Sequence, residues 1–240
     1  MSTLRNYQKP EWPELVRKPL GKRVVVLAPH MDDEVIGCAG SLLKHFADGD
    51  HITVVYMTDS SKGLPGKPLN KEMRMIRTEE SEQSGEILGV NNRVYLEIED
   101  GSTQPWDVYT DRLRAVIKET KPDLLYLPWH LDLHPDHKKT NALFKKAVCD
   151  QFNFNICAYE VWSPLPPTII VNISKQMAGK LAAIEKYRSQ TALFPYRRLI
   201  LSLNAYRACF IPIPGIRFAE AFYQTDCRQY LELISNRCEV

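Results

Sequence analysis

The chain is 240 residues long, and its 31 lysines and arginines stand against 29 aspartates and glutamates, a formal charge of +2. That balance excludes a protein built on nucleic-acid phosphates, which needs a basic surplus or stripe, and a hydrophobic share of 44% excludes a disordered or fibrous chain. No apolar run approaches the roughly 20 residues of a membrane span, and Met1–Lys22 holds no apolar signal core, so a cytoplasmic protein is expected.

Residues 1–21 carry three prolines and read as an irregular lead-in. Arg23 to Ala28 is a short buried strand, continuous and β-branched. After a turn at Pro29–Asp33, apolar residues at helical spacing predict a helix from Glu34 to Asp48, which Gly49 ends. Ile52–Met57 is a second buried strand, and two strands joined through a helix imply a parallel pair. Lys62–Leu69 is a Gly/Pro/Lys-rich loop. A helix from about Asn70 to Leu88 follows, closed by Gly89, then a short strand at Val94–Leu96 and the Asp100-Gly101 turn. Asp107–Thr120 is amphipathic and stops before Pro122; Asp123–Leu127 is another buried strand and His137–Asp150 another helix. Beyond these, Ala158–Trp162 and Ile169–Val171 are strand-like, with a helix near Lys175–Tyr187. The repeated β-α pattern predicts a single α/β domain over 1–240: a Rossmann-like, doubly wound, mainly parallel sheet with helices on both faces. The six cysteines form no CxxC pair and read as reduced packing residues.

In such a sheet, ligands bind in the loops at the carboxyl ends of the strands. Two loops stand out: Ala28-Pro-His30-Met-Asp32-Asp33-Glu34 and Pro128-Trp-His130-Leu-Asp132-Leu-His134-Pro-Asp136-His137, which hold four of the six histidines. Gly37-Cys-Ala-Gly40 lies too far into its helix to cradle a pyrophosphate. Each loop alone has a plain reading, the acidic run as a helix cap and the His-Pro-Asp-His run as a polar turn. Together at one sheet edge, His30, Asp33 and His137 make a two-nitrogen, one-oxygen set with an open position, the pattern of a catalytic rather than a structural zinc.

His30-Met-Asp32-Asp33-Glu34 with Gly37-Cys-Ala-Gly40 resembles the His-Pro-Asp-Asp-Glu…Gly-Cys-Gly-Gly opening of the LmbE-like, PIG-L-type N-acetylglucosaminyl deacetylases, and His134-Pro-Asp-His137 is similar to their second signature. Thr58, Arg77-x-x-Glu80 with Leu88-Gly89, Asp100-Gly101, Tyr187-Arg-Ser189-Gln190 and Glu220-Ala-Phe222 follow the family's order, so the likeness covers about 22–222. Met31 replaces the usual proline and Ala39 a glycine, which implies a slightly less rigid loop. The resemblance implies a zinc-dependent hydrolase that removes acetyl from an N-acetylglucosamine-type amino sugar or its conjugate. His30, Asp33 and His137 would ligate the metal, zinc or ferrous iron. Asp32 would be the general base toward the attacking water, His134 would stabilise the oxyanion, and Asp136 would hold the His134 ring, unless it is a plain turn residue. The rivals are a related amidase on a larger acyl or thiol conjugate and a non-catalytic sugar- or nucleotide-binding domain. A small N-acetylated sugar is the expected partner, and a homo-oligomer fits the habits of related folds.

Other residues carry two readings. Arg77 grips the substrate or pairs with Glu80 one turn away. Asp59, Ser60 and Asp100 line the pocket or form turns. His130 or Asp132 touches substrate or sits in a solvated loop. His45 and His51 are expected at the surface. Arg197, Arg198, Arg207 and Arg217 meet an acidic group or form a solvated face. Trp106, Trp129 and Trp162 stack on a sugar or pack in the core.

Overall fold

The computed structural model describes residues 12–62, 71–148 and 152–235. Its strands are β1 (Glu14–Val16), β2 (Arg23–Ala28), β3 (His51–Thr58), β4 (Asn92–Ile98), β5 (Leu124–Pro128), β6 (Asn155–Tyr159), β7 (Ile169–Asn172) and β8 (Ala219–Asp226). The helices are α1 (Asp33–Ala47), α2 (Lys71–Leu88), α3 (Thr110–Thr120), α4 (Pro135–Ala147), α5 (Met177–Ile184), α6 (Arg188–Thr191), α7 (Tyr196–Ala208) and α8 (Cys227–Ser235).

The strands form one eight-stranded sheet in the order β1-β7-β8-β6-β5-β2-β3-β4. All pairs are parallel except those of β8, which runs antiparallel to both β6 and β7. The β-branched run of β2 explains its central place, since every residue after Arg23 is buried. Its side chains alternate between the two faces. Val24 and Val26 join a core with Val35, Leu42, Leu181 and Ile200, whereas Val25 and Leu27 join one with Leu113, Ile117, Phe144 and Tyr230. Helices α1, α5 and α7 thus cover one face and α3, α4 and α8 the other, the doubly wound layering expected from the sequence.

The signature glycines serve packing. A Cβ at Gly37 would stand 2.2 Å from the Tyr159 ring, so α1 lies against the sheet closer than any side chain allows. Gly49, at φ +74°, lets the chain leave α1 in a left-handed turn.

Several expectations need correction. The lead-in is not wholly irregular, because Glu14–Val16 pairs in parallel with Ile169–Val171. Helix α4 begins at Pro135 rather than His137: proline's fixed φ and missing N–H suit a first helical position, and His134 caps it. Cys149 and Asp150, Asn70, and the Lys62–Leu69 loop beyond Lys62 lie outside the described residues. His45 is fully buried, not at the surface. Its Nδ1 lies 2.8 Å from Asp50 Oδ2 and its Nε2 3.2 Å from the Tyr126 hydroxyl, partners from β5 and the turn after α1 that a helical period does not reveal. Arg207 is no surface cation either; it is buried and pairs with Glu160.

Candidate metal and catalytic site

Strands β3 and β4 lie to one side of β2, and β5 and β6 to the other, so the winding reverses between β2 and β5. The crevice outside the carboxyl ends of strands at such a reversal is where open α/β sheets bind ligands. The loops after β2 and β5 are the two histidine-bearing loops, and both line a cavity of about 730 Å³.

Asp33 stands at the centre. Its Oδ2 is 3.2 Å from His30 Nδ1 and 3.1 Å from His137 Nε2. Although burial works against its charge, the two histidines hold its carboxyl well below the ordinary carboxylate range. Burial likewise opposes protonation of His137, but Asp33 and Asp132 outweigh it and lift the ring to about 9. Both His137 nitrogens are buried and neither makes a hydrogen bond within the described residues. Buried nitrogens without hydrogen bonds, converging with a neighbouring histidine on one carboxylate, match the donor set of a divalent-metal site. Ligand-capable atoms of His30, His134 and His137, and of His30, Asp100 and Asp136, also cluster within 4.8 Å.

The far nitrogen of each proposed histidine ligand faces a carboxylate. His137 Nδ1 lies 3.3 Å from Asp132 Oδ1, and His30 Nε2 lies 3.3 Å from Asp136 Oδ2 and 3.5 Å from Asp100 Oδ1. Such partners fix a ligating imidazole's tautomer and orientation. Asp132 is therefore no solvated loop residue. It is fully buried and also accepts the backbone N–H groups of His134 and Trp162. The expected role of Asp136 changes too: its carboxylate goes to His30 and the Gly101 N–H (2.9 Å), and only its backbone amide meets His134, donating to Nδ1. That bond leaves the proton of a neutral His134 on Nε2. Burial and the nearby His30 and His137 lower the His134 pKa, which favours the neutral ring.

Asp32 is buried at φ +151°, a region non-glycine residues rarely adopt and that costs about 1–3 kcal/mol. The surroundings over-determine it. Its N–H donates to Glu34 Oε2 (3.1 Å), whose carboxyl is gripped in turn by the Tyr187 hydroxyl (2.5 Å) and the Tyr56 hydroxyl (3.2 Å). Arg77 comes across from α2, donates to the Met31 carbonyl and stands 3.2 Å from Asp32 Oδ2. Burial pushes Asp32 up to about 6, with Arg77 pulling against it and Asp33 adding to the rise. Met31, in the place of proline, is buried and its N–H bonds the Ser60 hydroxyl (3.0 Å). The loop is thus held from outside.

The predicted Arg77–Glu80 pair does not form; Glu80 instead accepts the Ser189 N–H and hydroxyl, both at 2.7 Å. Ser60, Arg77 and Asp100 line the cavity, but Asp59 does not. Its carboxylate caps the Ser61 and Asp100 N–H groups, so it shapes the loops. Trp106 and Trp129 are core residues, whereas Trp162 lines the cavity. Gln190, Phe194 and Tyr196 are lining residues that the sequence did not reveal; burial, with the Asp32 charge adding to it, raises the Tyr196 hydroxyl above its ordinary pKa. Of these, only Gln190 stood in a motif.

A family model described as PIG-L, GlcNAc-PI de-N-acetylase, matches residues 25–148, more than half of the 240-residue chain. The chain belongs to the PIG-L family. A diacetylchitobiose deacetylase of Thermococcus kodakarensis is 28% identical, with 86% of each sequence covered. A probable N-acetyl-alpha-D-glucosaminyl L-malate deacetylase 2 of Bacillus cereus is 27% identical over 71% of this chain and 84% of its own. The solved N,N'-diacetylchitobiose deacetylase of Pyrococcus horikoshii, complexed with an inhibitor, shares the fold at a TM-score of 0.74 and 26% identity, covering 85% of this chain and 84% of its own. The PIG-L match includes both histidine-bearing loops and Arg77 but ends before Trp162, Tyr187 and Tyr196.

Proposed function

We infer that the protein is a metal-dependent N-deacetylase, one domain over 1–240, that hydrolyses the acetamide of an N-acetylglucosamine-type sugar or its conjugate. The observation that carries this reading is Asp32: a buried, strained carboxylate pinned by Arg77 beside a His/Asp/His donor set. A binding domain has no need of a free carboxylate there. The names of the relatives support the substrate class.

His30, Asp33 and His137 would hold the ion, zinc or ferrous iron, with Asp132 and Asp136 fixing the two rings. Such an ion polarises an amide carbonyl and lowers the pKa of water toward about 7. Asp32 accepts the proton of the attacking water and delivers it to the amide nitrogen as the C–N bond breaks, giving acetate and a free amine. His134, neutral and protonated at Nε2, donates to the amide oxygen as negative charge develops on it. Arg77 keeps Asp32 ionised and aimed into the cavity. Ser60 and Asp100 shape the wall that receives the sugar, and Asp59 supports them from behind.

The test is acetate release from N-acetylglucosaminyl compounds by zinc-loaded wild type and Asp32→Asn. The variant should bind metal like the wild type and lose about 10²–10⁴ of the rate, the usual share of a general base. Undiminished release by Asp32→Asn, or no free amine from any such compound with the wild type, defeats the reading.

A further inference from the structure

Tyr187 reaches the groups around Asp32 from outside the cavity. It is fully buried and is not a lining residue, so it does not touch substrate. It caps the start of α6, and its side chain meets both groups that hold Asp32. The hydroxyl donates to Glu34 Oε1 at 2.5 Å, while Glu34 Oε2 accepts the Asp32 N–H at 3.1 Å. The ring face carries the Arg77 guanidinium, whose carbon lies 5.1 Å from the ring centroid. Arg77 in turn stands 3.2 Å from Asp32 Oδ2. One side chain thus backs the Asp32 backbone through Glu34 and the Asp32 carboxylate through Arg77.

Asp32 sits at φ +151°, and strain of that kind persists only where neighbours enforce it. The Glu34 side chain has three torsions, so Oε2 fixes the Asp32 N–H only if Oε1 is itself anchored. Two phenols anchor it, Tyr187 at 2.5 Å and Tyr56 at 3.2 Å, and the shorter bond to a carboxylate is the stronger. On the other arm, Arg77 Nε and Nη1 are buried and make no hydrogen bond among the described residues. The Tyr187 ring supplies a contact to that guanidinium's face.

The turn carrying Tyr187 is itself tied down. Glu80 accepts the Ser189 N–H and hydroxyl, both at 2.7 Å. The Tyr187 carbonyl accepts the N–H groups of Gln190 (3.0 Å) and Thr191 (2.9 Å). Arg77 and Glu80 lie three residues apart on α2. The helix that delivers Arg77 to Asp32 therefore also fixes the turn that delivers Tyr187 to Glu34.

Resting on the deacetylase reading, we propose that Tyr187 is a positioning residue for the general base. Its hydroxyl, acting through Glu34, holds Asp32 in the strained conformation that aims the carboxylate into the cavity, and its ring backs Arg77. The competence of a residue in the first signature loop then depends on a turn that lies beyond residues 25–148, the span of the family match. Because Tyr187 does not touch substrate, loss of its hydroxyl lowers kcat and leaves KM in place. A residue that only packed the fold would change stability and leave both constants alone.

The test is steady-state acetate release from an N-acetylglucosaminyl compound by the full chain at saturating zinc, with crystal structures of the same zinc-loaded proteins. Tyr187→Phe keeps the ring and removes the hydroxyl. Its kcat should fall about 10–100-fold, the weight of one hydrogen bond to a charged group, with KM within about twofold of wild type. Tyr56→Phe, at the longer bond, should cost less. Adding Tyr187→Phe to Glu34→Gln should slow the reaction by no more than about twofold beyond Glu34→Gln alone, because the hydroxyl works through that carboxylate. Melting temperatures report that each variant folds. In the Tyr187→Phe structure, Asp32 should leave φ +151° or its carboxylate should move by more than about 0.5 Å. An unmoved Asp32, a kcat within about twofold of wild type, a loss carried by KM, or effects that add with Glu34→Gln would each overturn the assignment. If Asp32 moves in Tyr187→Phe yet the zinc-loaded wild type releases no acetate, the positioning role stands and the deacetylase reading falls.

Discussion

Arg77→Met separates two roles for the most deeply placed cation in the cavity. Arg77 is 2% exposed and its guanidinium lies 3.2 Å from Asp32 Oδ2. At an effective dielectric near 20, a unit pair at that distance interacts by about 5 kcal/mol, and breaking a buried pair from one side costs about 3–5 kcal/mol in stability. The same loss acts on the proton affinity of the base. With Arg77 present, burial holds Asp32 at about 6. An opposite charge this close lowers a carboxyl by roughly 1–3 pH units, so its removal should carry Asp32 to about 7–9. The sign follows directly: a base must be ionised to act, so activity is lost on the acid side, and the acid limb of the kcat/KM profile moves up. At pH 7 the ionised share falls from about 90% to about 10% if the value reaches about 8, and it recovers above pH 9. A bound divalent ion lowers Asp32 in both proteins, which leaves the displacement between them in place. The assay is the kcat/KM profile of acetate release for wild type and Arg77→Met from pH 5 to 10. Superimposed acid limbs, with Arg77→Met slower by one factor throughout, would refute the reasoning and return Arg77 to gripping the sugar.

Asp132→Asn should weaken zinc binding about 10–100-fold, read by chelator competition, because the His137 ring loses the charge that faces its Nδ1. Unchanged affinity would make Asp132 only a loop anchor. Burial depresses the His45 pKa, with Asp50 pulling the other way. As pH falls below about 6.5, the unfolded chain takes up a proton that folded His45 resists, so stability present above that pH is lost on acidification. Between about pH 7 and 5, wild type should lose more stability in urea melts than His45→Gln; parallel losses would contradict this. Gly37→Ala forces a methyl to within 2.2 Å of the Tyr159 ring and should cost about 1–3 kcal/mol, or a fall in Tm of several degrees. An unchanged Tm would mean that α1 can shift freely.

Much of the fold was legible because the central strands write it plainly. Val24–Val26 and Leu124–Leu127 are apolar on both faces, which only a sheet covered on both sides explains, and both lead into the histidine-bearing loops. The edges were less legible. Glu14–Val16 is too short and mixed to signal a strand, and it exists through its pairing with β7. Strand β8 carries Glu220 inward, where alternation alone predicts an apolar residue. That carboxylate is matched by Lys180 and by the Gly40 and Ser41 N–H groups, partners far away in sequence.

The site shows the same division more sharply. His30, Asp33 and His137 were readable because each follows a buried strand, and strand ends place their side chains at one crevice without further information. What could not be read was which carboxylate serves which ring. The resemblance implied that Asp136 holds the ring of His134, two residues away. In the fold, the first turn of α4 points the Asp136 carboxylate back across the crevice to His30, more than a hundred residues earlier, and gives His134 only a backbone amide. Asp132, which the sequence left between substrate contact and solvent, is the group that faces His137. The candidate site residues thus come from local motifs, but the groups that tune them come from across the sheet: Arg77 from α2 onto Asp32, Tyr187 onto Glu34, which holds the Asp32 N–H, and Asp136 onto His30. Substitutions in these crossing partners should therefore move pKa values and metal affinity while leaving the signature motifs intact. An Asp136→Asn variant that altered the protonation of His134 but not the zinc affinity would show that the motif's own spacing, and not the sheet, sets the pairing.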